Sequence, residues 1–281
     1  MKMLEGIKIL DVTYYLPGPY ASMRLAEMGA DVIKVEPPEG DPARTLSGGV
    51  VHRANNKGKQ FRFLDLKSEV GKEEMLELIR GTDVLIESFR PGVMERLGFG
   101  YKTCAAYNPG LIYCSMTGYG QTGPIAECGS HDLNYMALSG LLSQLTDQQG
   151  HPIHPRNTIA DYVGAMAVTE AILAALVQRG KTGKGAYLDV SITDALQAFQ
   201  GTHRAYAEEG LSNRGIPEID GSYVSYGIYE TKDKRHVVLA ALEPKFWRNF
   251  CAFAERPDWL EHNQARIGSE IHREIEQSFA A

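Results

Sequence analysis

Three polar residues stand out against their surroundings. His131 and Asp132 open the stretch GSHDLNYMALSG at 129–140, ahead of a run of small and apolar residues, and Asp161 stands in NTIADYVGAM just before a long apolar segment. Imidazole and carboxyl groups are well suited to moving protons near neutral pH, and a carboxylate can also act as a nucleophile. Both stretches read as helix starts, where N–H groups without intrahelical partners favour a neutral or negative side chain. With Ser130 as N-cap, His131 and Asp132 fall in the first turn, which helps to keep the imidazole neutral. Each residue also has a plainer reading, the two aspartates as caps and His131 as an ordinary surface imidazole. Glu243, in the LEP turn after HVVLAAL, has one too, as an exposed cap before Pro244.

The elements that must position these residues are legible as an alternation. IKILDV at 7–12 is a strand, LPGPY a turn that stops it, ASMRLAEMGA a helix and DVIKVE at 31–36 a second strand. The pattern repeats with FRFLDL at 61–66, a helix through EVGKEEMLELIRG, DVLIES at 83–88, a short helix after Pro91 and LIYCSM at 111–116. Such alternation predicts a parallel sheet with helices on both faces. After the Gly-rich loop TGYGQTGP at 117–124 the chain becomes more helical, with apolar segments from Asp161 to Val177 and from Ile192 to Ala207 on either side of a strand, AYLDVS. The domains read as 1–207 for a large α/β domain, 208–222 for a linker and 223–281 for a smaller α+β domain with two strands and the start of a helix at EPKFWRNFCAFA.

Composition bounds the function. The 281 residues carry 43% hydrophobic and 23% charged residues with a net charge of −6, which gives no general attraction to nucleic acid or anionic membrane. Any anionic ligand must be held by local basic groups, so a small-molecule site is expected. Four cysteines without CxxC spacing suit a reducing compartment and do not suggest zinc. No signal peptide and no apolar stretch long enough to cross a bilayer are read, so the expectation is a cytoplasmic protein with no membrane or nucleic-acid partner. LPGPY and GYGQTG match neither a P-loop nor a GxGxxG fingerprint, which argues against ATP and NAD.

The chain resembles the class III CoA-transferase and α-methylacyl-CoA racemase family. The resemblance runs through LEGIKILDVTYYLPGPYASMRLAEMGADVIKVEPPEGDPAR, FLDLKSEVGKE, DVLIESFRPGVMERLGFG, LIYCSMTGYGQTGP and GSHDLNYMALSG. It implies a Rossmann-like large domain, a small domain reached by long linkers, and a homodimer of two interlocked rings. Family members run longer, with a C-terminal stretch that returns to the large domain, so this chain is expected to lack that ring closure. The resemblance implies an acyl-CoA substrate, with coenzyme A as part of it and no tightly bound cofactor or metal. It places the CoA pocket at Leu16 and Pro17, at Leu64, Asp65, Leu66 and Lys67, at Ser88, Phe89, Arg90 and Arg96, and at Gly129, Ser130 and Asp132. Arginine suits this task, since its planar fork binds phosphate and its face stacks on adenine. One departure is Pro37, where many relatives have a CoA-contacting arginine; Lys34, Arg44 or Arg53 are the candidates to compensate.

The same resemblance assigns Asp161 as the catalytic carboxylate, a nucleophile in transferases and an acid/base in racemases, and matches Glu243 to a glutamate near the histidine. HDLNY resembles the racemases. The leading expectation is therefore an enzyme that inverts a 2-methylacyl-CoA through an enolate, with His131 and Asp161 as the acid/base pair. The alternative is CoA transfer to a carboxylic acid with Asp161 as nucleophile. A third reading is a CoA-thioester-binding protein without catalysis.

Overall fold

Parallel strands buried on both faces need apolar side chains pointing both ways, and the central strands here supply them. A computed structural model describes residues 2–147, 149–212 and 215–281. The chain divides into two units, Met1–Phe199 and Gln200–Ala281. The first runs β1 (Lys8–Asp11), α1 (Pro17–Glu27), β2 (Asp31–Glu36), α2 (Val50–Asn55), β3 (Gln60–Phe63), α3 (Glu69–Arg80), β4 (Val84–Glu87), α4 (Val93–Leu97), α5 (Tyr101–Tyr107), β5 (Ile112–Thr117), α6 (Asp132–Leu138), α7 (Ile159–Thr182), β6 (Ala186–Ser191) and α8 (Ile192–Phe199). Its six strands form one sheet in the order β3-β2-β1-β4-β5-β6, every pair parallel. On one face Ile9, Val84, Ile86, Ile112 and Met116 pack with Leu25 of α1 and with Ala165, Val168 and Ile172 of α7. On the other, Leu10, Val35, Leu85 and Tyr113 pack with Met75 and Ile79 of α3 and Cys104 of α5. The α/β reading and all six strands expected in the large domain are present.

The strand order reverses between β1 and β4, and at such a switch point the loops beyond the carboxyl ends splay apart into a crevice. LPGPY follows β1 and SFRPG follows β4, so the topology itself brings the two stretches to that crevice.

Several expectations need correction. LPGPY is not a turn ahead of the first helix; α1 begins within it, at Pro17, because proline has no N–H to lose in a first turn and its fixed φ suits a helix start. The segment Ile192–Ala207 is two helices, α8 and then α9 (Gly201–Glu208), separated at Gln200. α9 groups with the second unit, Gln200–Ala281, whereas the sequence reading keeps it in the large domain as far as residue 207. No residue of α9 is buried, so its apolar side chains do not mark a continuation of the core. The expected linker 208–222 includes 213 and 214, which lie outside the described residues. Finally, among the described residues one helix is long and apolar enough to cross a membrane by length and composition: α7 has 24 residues. Ala160, Gly164, Ala165, Val168, Ile172 and Ala175 form its buried side against the sheet, the position of a core helix.

The second unit contains α9, an antiparallel hairpin of β7 (Tyr226–Glu230) and β8 (His236–Ala240), then α10 (Pro244–Phe253) and α11 (Glu270–Ala280). Trp247 and Trp259 anchor its own core with Tyr229 and Ile275. The Trp247 indole N–H donates to the Trp259 carbonyl at 3.0 Å and that of Trp259 to Glu274 at 2.8 Å, which allows both rings to be buried without orphaned donors.

Candidate functional site

At the switch point the two loops touch. The backbone N–H of Tyr14 donates to Ser88 Oγ at 3.3 Å, and the Tyr14 ring meets the Phe89 ring edge-on at 5.2 Å. Beneath them lies a buried ionic cluster. Asp11, at the end of β1, accepts from Lys59 at 2.9 Å, from Ser22 Oγ and Thr13 Oγ at 2.6 Å, and lies 3.7 Å from Lys34. The lysines also hold the loop backbone: Lys34 donates to the Thr13 carbonyl and Lys59 to that of Pro19. Asp41, 3.4 Å from Lys34, accepts the N–H of Tyr15, whose φ of 64° is unusual for a residue with a side chain. Burial works against an ionised Asp11, but the two lysines and the two hydroxyls hold its carboxyl well below the usual range. Burial draws Lys59 down to about 8, against the attraction of Asp11.

The inner part of the site is built from α6, α7 and the segment before α6. Arg90 lies against the backbone at Gly129, where a Cβ would come within 2.5 Å of Nη2. The N-cap of α6 is His131, not Ser130, so Asp132 is the first helical residue. Asn134 closes the cap by accepting the His131 N–H at 3.1 Å, and the His131 side chain is exposed. The carboxylate of Asp132 reaches across to α7, whose own N-cap, Thr158, makes no side-chain cap. It accepts the N–H of Asp161 at 3.0 Å and that of Ala160, supplying partners for two otherwise orphaned donors. One aspartate thus fixes the start of the helix that carries the other.

That arrangement sets the chemistry of Asp161. Burial pushes its carboxyl up to about 7, with the like charge of Asp132 adding to the shift. Asp132 is itself raised by burial, against the two N–H groups it accepts and the charge of His154. Tyr135 closes the floor: its hydroxyl donates to the Ser130 carbonyl at 3.1 Å, its ring lies edge-on to Tyr119, and a Cβ at Gly118 would come within 2.3 Å of it. A carboxyl poised near neutrality is able to take or give a proton on a bound molecule.

Of the residues singled out from the sequence, Ser88 and Phe89 meet the β1 loop at Tyr14, Arg90 lies against Gly129, and Asp132 bonds the Asp161 backbone. Leu16, Pro17, Ser88 and Phe89 are half-buried at the β1 and β4 loops, and Arg90 and Arg96 are exposed. Arg96 turns its guanidinium back over Gly92. Leu64 is buried in the core cluster with Met75 and Ile79, whereas Asp65, Leu66 and Lys67 form the turn into α3, with Asp65 accepting the Lys67 N–H at 3.0 Å. Among the three cations considered for the Pro37 position, Lys34 is wholly buried in the ionic cluster and Arg44 is held by Glu36 at 2.5 Å; Arg53 is exposed and donates to the Gly48 carbonyl. Glu243 belongs to the second unit, where it is the exposed N-cap of α10 and its carbonyl accepts the N–H groups of Phe246 and Trp247. Sequence reasoning missed the bridging role of Asp132, the Asp11 cluster and Tyr135. Spacing offered no signal for the first, because its partner lies in another helix.

Known proteins resemble this chain over most of its length. The model of CoA-transferase family III matches residues 4–281. The acetyl-CoA:oxalate CoA-transferase of Acetobacter aceti is 36% identical over 250 residues, 86% of this chain and 64% of that enzyme. The human α-methylacyl-CoA racemase is 34% identical over 252 residues, 87% of this chain and 63% of that enzyme. The crystal structure of a CAIB/BAIF family protein from Brucella suis superposes with a TM-score of 0.87 at 27% identity, covering 99% of this chain and 78% of that one. The chain therefore spans a little under two thirds of the length of these two enzymes. With the β1 and β4 loops meeting at the switch point and the whole described core matched, the chain belongs to CoA-transferase family III.

Proposed function

We propose that the protein acts on an acyl-CoA thioester in the manner of an α-methylacyl-CoA racemase, exchanging the proton on the carbon next to the thioester carbonyl. The observation that carries this reading is Asp161, a carboxyl held at about 7 beside a second carboxylate, on the helix next to the one that His131 caps. A nucleophile needs the ionised form, whereas an acid/base needs both forms at working pH, and a group near 7 has both. In one direction neutral His131 removes the α-proton, leaving an enolate, and protonated Asp161 returns a proton to the other face; the pair ends as imidazolium and carboxylate. The reverse direction exchanges the roles. Arg90, Ser88 and Phe89 anchor the CoA at the switch point. The four cysteines are all free, which supports a cytoplasmic location. The partner proposed is a second copy of the chain, as the family resemblance implies.

The likeness to the oxalate CoA-transferase favours a second reading. There Asp161 attacks the donor thioester carbonyl and expels CoA thiolate. Thiolate then attacks the Asp161 carbonyl of the mixed anhydride, releasing the donor carboxylate and leaving an aspartyl-CoA thioester; the acceptor carboxylate attacks that thioester and expels thiolate again, and thiolate takes the acceptor acyl group from the second anhydride, freeing Asp161. Incubating the protein with a chiral 2-methylacyl-CoA in heavy water separates the two. Deuterium at the α-carbon without any carboxylate acceptor supports the racemase; thioester exchange that requires an acceptor supports the transferase; CoA binding with neither supports a binding protein. His131→Ala should lower α-proton exchange by roughly two to four orders of magnitude, the usual contribution of a positioned acid/base. Acyl transfer should keep most of its rate, because the carboxylate attacks without an imidazole. Equal loss of both activities would remove the histidine from proton transfer.

A further inference from the structure

Glu87 is a buried carboxyl that neither reading of the chemistry uses. It ends β4, is 3% exposed, and stands opposite Ser115 of β5, which in turn stands opposite Asp189 of β6. These three residues lie on one face of the sheet at its carboxyl edge, because paired residues of neighbouring parallel strands point the same way. One oxygen of Glu87 accepts the backbone N–H of Phe89 at 2.8 Å, and Ser115 supplies a side-chain hydrogen bond. Ser115 Oγ is held from its other side by the Tyr187 hydroxyl at 3.3 Å. The residue that Glu87 grips lies one position before Arg90 and one after Ser88, and its ring rests on Tyr14.

We infer that Glu87 is a positioning residue: its carboxyl fixes the Phe89 N–H and so aims the Ser88–Arg90 turn, with the Arg90 guanidinium against Gly129, at the phosphates of CoA. This rests on the reading of the switch point as a CoA site. A turn with a side-chain anchor pays less ordering entropy when the ligand arrives, which is how an anchor that never touches CoA changes its affinity. The charge on the anchor matters too. Burial raises Glu87 to about 7, against the bonds from Ser115 and Phe89, while Glu95 of α4 and Asp189 of β6 add their like charges. From β5 it is faced by the Tyr113 phenol and from β6 by the Tyr187 phenol, and its charge pushes both up in turn, as it does the Cys114 thiol on the opposite face of β5. The carboxyl is therefore largely neutral at pH 6 and largely ionised at pH 8, and ionisation strengthens its grip on the N–H.

The test compares the full chain with Glu87→Gln and Glu87→Leu, measuring coenzyme A affinity by calorimetry at pH 6 and pH 8 and hydrogen exchange at the Phe89 amide. The Leu variant should lose Phe89 protection and bind CoA about tenfold more weakly, the loss of one hydrogen bond to a charged group. The Gln variant keeps an oxygen for the N–H but cannot ionise. It should match the wild type at pH 6 and fall behind about three- to tenfold at pH 8. Should the Leu variant fail to fold, the ratio of Gln variant to wild type across the two pH values still decides. Wild-type CoA binding that neither variant alters overturns the inference alone. A wild type that binds no CoA overturns the reading on which it rests.

Discussion

At the β1 end of the sheet's carboxyl edge, Asp11 is buried between two lysines and two hydroxyls; toward β4 and α7, the buried Glu87 and the half-buried Asp161 have other carboxyls as their charged neighbours. The same residue chemistry at the same edge of one sheet is pushed in opposite directions, Asp11 far down and the other two up to about 7. The first arrangement is a support. Its ion pairs and hydrogen bonds shape a loop. The second keeps its acids uncompensated, which costs stability and leaves them able to hold or release a proton at neutral pH.

The sharpest way to break this contrast is to remove the reactive member. Asp161→Asn should lower turnover by at least about a thousandfold under either enzymatic reading, since an amide is neither a nucleophile nor a proton carrier. CoA binding, measured by calorimetry, should persist because the anchors of the switch point are untouched. Retained turnover would remove Asp161 from the chemistry.

Asp11→Ala should have the largest effect on the fold. It strands Lys59 and Lys34 without their shared partner and should destabilise the first unit by about 3–5 kcal/mol, seen in urea unfolding. A loss below about 1 kcal/mol would mean that the cluster is only incidental.

The two regions should also separate in the pH dependence of stability. Glu87 has a higher pKa folded than its ordinary 4.5, so the folded chain keeps that proton longer than the unfolded one. Its contribution is most favourable below the unfolded value and is lost as pH rises from about 4.5 to about 7. Glu87→Gln should therefore gain up to about 3 kcal/mol relative to wild type at pH 8 and little at pH 4. Asp11 runs the other way: its stabilisation is present above its unfolded value and is lost as pH falls through the depressed folded one. Chemical denaturation at pH 4, 6 and 8 checks both signs.

The smallest expected change concerns the ligand anchor. Arg90→Ala should weaken CoA by roughly 1.5–3 kcal/mol and reduce the salt dependence of binding, through loss of one charge-assisted contact. An unchanged affinity would make Arg90 a surface cation.

Much of the frame was legible because strands and helices have different hydrophobic periods, and DVIKVE or DVLIES between amphipathic helices leaves few alternatives to a parallel sheet. Boundaries were less legible where a residue's role depends on position: Pro17 and Pro19 read as breakers but lie in the first turn of α1, and Gln200 interrupts an apolar run that periodicity alone continues. The site was legible as a set of residue types, His131, Asp161 and Arg90, but not as an arrangement. That Asp132 caps α7 and that Lys34 is locked beneath the loop depend on contacts between segments far apart in the chain. No local pattern encodes such contacts.

The strand order also governs when the fold can be completed. β1 is central, yet its neighbour β4 begins with a segment whose Asp83 bonds Lys8 across a separation of 75 residues, and β6 pairs with β5 only after the whole of α7. During synthesis β1 therefore waits with one edge open while its partner is still being made, and β5 waits in the same way. Such distant parallel pairings are slow to form and expose apolar strand edges in the interval. The hairpin of the second unit, with β7 and β8 adjacent in sequence, has no such delay. Refolding should show a fast phase from the second unit and a slower one from the first, and aggregation during expression should be most severe for variants that weaken β1.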